Sequence, residues 1–171
     1  MTSFEKRIAF LICPVLLACI GANAWAADPT LTVRTISESG AQQVLVAAEH
    51  EAEKLHAPCA IAVVDASGTL VAFLKMDGVR PGSPDLAIGK ARTSAVLQRP
   101  SAETEANVDN GRLAFVTAGL MTLRGGVPLK AGGQVVGAVG IASLNKDNDV
   151  TIAQAAAAAF ESLSATQPPA H

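Results

Sequence analysis

The chain has 171 residues, half of them apolar, with 13 basic side chains against 15 acidic ones. Such hydrophobicity at near-zero net charge excludes an intrinsically disordered chain, and the length suits one domain rather than two. With no Tyr, one Trp and a formal charge of −2, the sequence has neither the basic footprint nor the stacking platforms of a nucleic-acid binder.

The N-terminus reads as an address. Lys6 and Arg7 precede the apolar run Ile8 to Ile20, and Ala24-Trp25-Ala26 supplies a small-residue cleavage site. Pro14 and Gly21 interrupt the run, which is short for a membrane span. Residues 1–26 are therefore expected to be a signal peptide, leaving a periplasmic or secreted protein with no transmembrane span. An alternative uses Leu16-Leu17-Ala18-Cys19 as a lipoprotein signal, with Cys19 acylated. Cleavage after Ala26 leaves 11 basic against 14 acidic residues, and Cys59 as the single cysteine. No intramolecular disulfide is then possible, although export leads to an oxidising compartment. Beside the run Ala60-Ile-Ala-Val-Val64, Cys59 reads as a buried, unreactive thiol.

Along the mature chain, Ala41, Val44, Leu45, Ala48, Ala52 and Leu55 follow helical spacing, with Gln43, His50, Glu53 and Lys54 opposite. Pro58 ends that helix. Cys59–Asp65 and Leu70–Leu74 read as a strand pair joined at Ala66-Ser-Gly-Thr69. Asp85–Gln98 returns to helical spacing with a small-residue stripe, Ala87, Ile88, Ala91 and Ala95, which lets a helix backbone approach a sheet closely. Leu86 and Leu97 fall on a second face. A short polar helix is expected from Ser101 to Val108, whereas Gly111 to Leu123 carries no readable pattern. A second hairpin turns at Gly132-Gly133 and continues through Gln134–Ile141. The last helix is expected to be capped by Asp147 or Asp149 and to carry the stripe Ile152, Ala153, Ala156, Phe160 and Leu163. The order of elements gives an α+β sandwich with a central antiparallel sheet over residues 27–166, followed by a disordered tail, 167–171.

Common catalytic signatures are missing: no H-E-x-x-H, C-x-x-C, G-x-S-x-G or phosphate-loop pattern occurs. The glycines at 125, 126, 132, 133, 137 and 140 suit turns and close helix-on-strand packing. His50 and His56 are the two imidazoles of the structured part and the candidate metal ligands. Lys90, Arg92, Arg112 and Arg124 are candidates to meet ligand carboxylates. Asp65 sits where an Asx-type turn is expected.

Six segments occur together in order: Ile61-Ala-Val-Val-Asp65-Ala-Ser-Gly68, Met76-Asp77-Gly78, Ile88-Gly-Lys90-Ala-Arg92-Thr93, Arg99-Pro100, Gly125-Gly126-Val127-Pro128 and Gly137-Ala-Val-Gly140. This set resembles the GlcG/HbpS-like family, which also includes the C-terminal domain of some cobalamin adenosyltransferases. The resemblance implies a profilin-like α-β-α sandwich, homo-oligomeric assembly and binding of haem or another tetrapyrrole. His50 or His56 would then be an axial ligand to haem iron, and Lys90, Arg92 and Arg124 would be candidates for its propionates. The chain departs from the usual family pattern at Thr69, where many relatives carry His, and at Ala142-Ser-Leu-Asn145. Three functions follow as alternatives: an exported haem-binding protein for scavenging, buffering or sensing; an enzyme that degrades haem or acts on a small organic molecule; and an oligomeric accessory protein without cofactor. Exposed apolar positions, Val46 on the first helix and Leu86 and Leu97 on the second face of the next long one, independently suggest a homo-oligomer.

Overall fold

The computed structural model describes residues 29–166. The expected signal segment, its Cys19 alternative and the expected tail lie outside these residues. Residues 29–32 belong to a separate unit, and the fold set out below is that of residues 33–166.

The elements are α1 (Glu38–Lys54), β1 (Ala60–Asp65), β2 (Leu70–Lys75), α2 (Ser83–Leu97), α3 (Ser101–Asp109), α4 (Ala114–Thr117), β3 (Gly126–Ala131), β4 (Gln134–Ala142) and α5 (Lys146–Thr166). The strands form one antiparallel sheet in the order β2-β1-β4-β3. The two hairpins therefore meet along β1 and β4. The apolar runs of these strands are buried on both faces, since every residue from Ala60 to Val64 and from Val136 to Ala142 is buried. This is the expected α+β, α-β-α sandwich.

On one face, α1 and α5 enclose a core built from Val44, Ala48, Ile61, Val63, Leu129, Val139, Ile141 and Ile152. On the other, α2 lies on Ala60, Ala62, Val64, Ala138 and Ala142 through its own Ala87, Ala91 and Ala95. The small stripe works as its sequence suggested, because two glycines on the sheet complete the fit. A Cβ at Gly140 would overlap the Ala87 carbonyl and the Ala91 amide, and one at Gly126 would overlap the Lys90 carbonyl. Backbone thus lies directly on backbone.

Ser37 caps α1, its hydroxyl accepting from the Gly40 amide at 3.1 Å. The β3–β4 turn has positive φ at both Gly132 and Gly133, +60° and +79°, as a tight hairpin requires. Four sequence expectations change. Asp147 and Asp149 both lie inside α5, and it is Asn145 Oδ1 that accepts from the Asp147 amide at 2.9 Å, because the helix starts earlier than its apolar stripe. Leu163 is exposed, as α5 runs past the end of the core. Leu86 is half-buried against the α2 core, and the exposed apolar side chain of α2 is Val96. Finally, the unpatterned stretch before β3 holds the single-turn α4 and an extended segment that doubles back over α2.

Candidate functional site

Three features concentrate chemistry. The first is a buried bridge at the end of the sheet. Close packing of α2 on Gly126 and Gly140 carries Lys90 to the start of α5, where its Nζ donates to Asp149 Oδ2 at 2.7 Å and to the Ile141 carbonyl at 2.8 Å. Both side chains are about 4% exposed. The other oxygen, Asp149 Oδ1, accepts from the Ser143 amide at 2.7 Å and the Ser143 hydroxyl at 2.6 Å. A buried pair needs such additional partners to offset desolvation. Beside it, Arg124 is ion-paired with Glu105 through Nε, and Nη1 lies 3.5 Å from Asp147 Oδ1. The hydrogen bond and charge of Glu105 raise the Arg124 pKa further. Lys90 and Arg124 line a small cavity of about 140 Å³ and are committed to protein carboxylates. Arg112 lies 5.0 Å over the Phe115 ring, which Arg99 also approaches at 5.5 Å.

The second feature is an open cleft of about 700 Å³ between α2, the β1–β2 turn and the segment Val116–Thr122. Arg92 is its single charged side chain. Arg92 Nε donates to the Gly68 carbonyl at 3.2 Å, and the residue makes no ion pair among the described residues. Val96, Val116, Leu120 and Met121 give the cleft apolar walls.

The third is a corner where α1 meets β1. His56 adopts φ 49° just beyond α1 and lines a cleft of about 430 Å³ with Ala52, Glu53, Ala57, Pro58 and Met76. Met76 Sδ accepts from the Cys59 amide at 3.4 Å and lies 3.9 Å from Cys59 Sγ. Burial, then the negative charges of Asp149 and Glu49, push the Cys59 thiol up to about 12. Cys59 is therefore the buried, protonated thiol expected of it. His50 lies exposed on α1. Among the described residues, no three His, Cys, Asp or Glu side chains converge as metal ligands.

Tertiary structure thus separates the expected site residues. Lys90 and Arg124 share the charged cavity, Arg92 opens into the larger cleft, His56 lines the sulfur-containing corner, and His50 stands apart from all three. Asp65 makes the Asx turn, accepting from Ser67 N at 2.8 Å, Ser67 Oγ at 2.6 Å and Thr69 N at 2.9 Å. Burial would raise its pKa, but these hydrogen bonds outweigh that and hold it below the ordinary carboxylate value. Thr69 hydrogen-bonds within this turn, Oγ1 lying 3.0 Å from Ser67 Oγ. The loop after β4 carries the Ser143–Asp149 contacts.

Sequence reading missed Asp149 as the partner of Lys90, since 59 positions separate them and the acid read as a helix cap. It also missed Thr93 and Met121, whose 2.9 Å hydrogen bond from the Met121 amide to Thr93 Oγ1 pins the strap over α2. The small residues on α2 at Gly89 and Thr93 were the available signal.

A four-stranded antiparallel sheet with helices on both faces and an open cleft beside α2 defines an α+β sandwich of the HbpS/DUF336 kind. Residues 36–158 match the family model described as "Haem degrading protein HbpS-like", and the chain belongs to that family. It is 42% identical to Protein GlcG of Escherichia coli K12 over 107 residues, which are 62% of this chain and 80% of that one. A double mutant of Streptomyces reticuli HbpS superposes with a TM-score of 0.70 at 30% identity, covering 75% of this chain and 89% of the other. A PduOC:heme complex superposes with a TM-score of 0.67 at 28% identity, covering 73% and 94%. Haem thus features in the family's description and in one of these solved relatives.

Proposed function

We propose that this protein is an exported, homo-oligomeric haem-binding protein that serves in scavenging, buffering or sensing. One observation carries the reading: the similarity to a heme complex extends over 94% of that relative. The donor set of this chain fits such a ligand at one place. His56 is exposed, its side chain has no hydrogen-bond partner among the described residues, and it shares a cleft with a thioether, Met76. Imidazole and thioether are both iron ligands. Met76 Sδ already accepts from Cys59, so in this reading His56 would hold the iron and Met76 would supply part of the wall. When bound, haem brings redox and oxygen chemistry at iron, while the protein orients the ring and limits solvent access.

Titrating the mature protein with haemin tests the site. Wild type and His50→Ala should give the same Soret band of bound haem, and His56→Ala should lose it, with about tenfold or greater loss of affinity. Identical spectra and affinity in all three proteins would overturn the assignment of His56. Export rests on the N-terminal pattern ending in Ala24-Trp25-Ala26, and cell fractionation should recover a processed chain in the periplasm or medium. Recovery in the membrane fraction with lipid on Cys19 would support the lipoprotein alternative instead. Assembly rests on exposed Val46 and Leu113, and a monomer mass by light scattering at micromolar concentration would remove it. The family description favours a second reading, haem degradation, and product formation from bound haem with a reductant or peroxide would support it.

A further inference from the structure

The 700 Å³ cleft beside α2 lies within the size range of small-molecule sites. Its construction is asymmetric. Among the described residues that line it, one is charged, Arg92, and none is acidic. The guanidinium is oriented by its 3.2 Å hydrogen bond from Nε to the Gly68 carbonyl, which leaves the two terminal nitrogens without a carboxylate. The rest of the lining is largely apolar and incompletely covered, with Val96, one helical turn along α2 from Arg92, 49% exposed and Val116 52% exposed. A strap holds this shape. Met121 is anchored to Thr93 through its amide, and its side chain occupies the space that a Cβ at Gly89 would need, since such an atom would meet Met121 Cε at 3.0 Å and Cβ at 3.1 Å.

We infer that this cleft binds a small organic monoanion, with a carboxylate-type head on Arg92 and an aliphatic or aromatic body against Val96, Val116 and Leu120. One unpaired guanidinium presents a fork that matches one carboxylate, and no second cation lines the cleft to favour a dianion. The apolar walls gain by covering the body, so neither a free inorganic anion nor a neutral hydrocarbon satisfies both halves. This site is separate from the His56 corner.

Octanoate is a suitable probe. Calorimetry should show saturable binding to the wild type, about tenfold weaker binding to Arg92→Gln, and about tenfold weaker binding of octanol than of octanoate. Amide chemical-shift changes on the wild type should centre on residues 67–68, 89–96 and 116–122. Absence of octanoate binding up to about 5 mM, equal affinity for Arg92→Gln, or shifts located elsewhere would overturn the inference. Circular dichroism of Arg92→Gln checks folding, and the wild-type shift map and octanol comparison decide the question if that variant is unstable. A haemin titration of Arg92→Gln distinguishes the two sites. Unchanged haemin binding is expected, whereas haemin displacing octanoate together with weakened haemin binding by the variant would make this the tetrapyrrole cleft and overturn a separate monoanion site.

Discussion

Cys59 and Asp65 stand at opposite ends of β1 and show how one strand creates two protonation environments. Cys59 is fully buried, and its thiol is pushed up to about 12 by burial and by Asp149 and Glu49. A raised thiol pKa favours the neutral form in the fold, so this stabilisation is complete below the ordinary thiol value of about 8.5 and is lost as pH rises from there towards 12. Labelling with a thiol reagent near pH 8 should be at least about a hundredfold slower in the native protein than after denaturation, because both thiolate fraction and access are low. Equal rates would contradict a buried thiol. Asp65 is shifted the opposite way by hydrogen bonds to its carboxylate. Its contribution is present above about pH 4, the unfolded value, and is lost as pH falls through the lower folded value. Asp65→Asn should therefore be less stable at neutral pH by roughly 1 kcal/mol, a gap that narrows on acidification and is read from urea midpoints at several pH values. A gap independent of pH would show that charge is irrelevant to the turn.

At the scale of elements, the seating of α2 on the sheet is the feature on which the Lys90 bridge and the Arg92 cleft depend. Gly140→Ala places a methyl group against the Ala87 carbonyl and Ala91 amide, backbone atoms that move only if α2 lifts. The cost should be about 2–3 kcal/mol, as for overpacking a filled core. Gly133→Ala is the contrasting case: φ is +79° and nothing lies within 4 Å, so only backbone strain of about 1–2 kcal/mol opposes it. Thermal melts of the two variants compare these causes directly. A smaller loss for Gly140→Ala than for Gly133→Ala would show that α2 relaxes away from β4 without difficulty.

At the scale of the whole molecule, Lys90 and Asp149 join helices that lie on opposite faces of the sheet. Each is buried, so removing one charge strands the other. Lys90→Met or Asp149→Asn should each cost about 3–5 kcal/mol in denaturant unfolding. The double variant Lys90→Met with Asp149→Asn should lose much less than the sum of the single changes, since a neutral pair leaves no uncompensated charge. Additive losses would mean that the two residues stabilise the protein independently. The same bridge explains the arrangement of candidate sites. It occupies Lys90, and Glu105 with Asp147 holds Arg124, leaving Arg92 to open into the cleft beside α2 and His56 to line the corner near α1.

Local pattern alone determined the first helix, both hairpins, the close approach of α2 to the sheet, the Asx turn at Asp65 and the burial of Cys59. In each case the cause is short-range: helical periodicity, strand burial, positive φ at Gly132 and Gly133, or a carboxylate two to four residues from the amides that it accepts from. The ordered short motifs also identified the family. Tertiary structure decided everything about the sites that depends on distance through the chain. Lys90 read as a candidate for ligand carboxylates because its neighbours in sequence carry no acid, and only the crossing of α2 over Gly126 and Gly140 brings it to Asp149. Gly111 to Leu123 had no periodicity to read, since that segment is held by single contacts to α2, such as the Met121 amide on Thr93, rather than by a repeating apolar face. His50 and His56 looked equivalent because both lie at or just past the polar side of one helix. The chain turns to positive φ at His56 and carries it into a cleft with Met76, and that backbone geometry separates the two imidazoles.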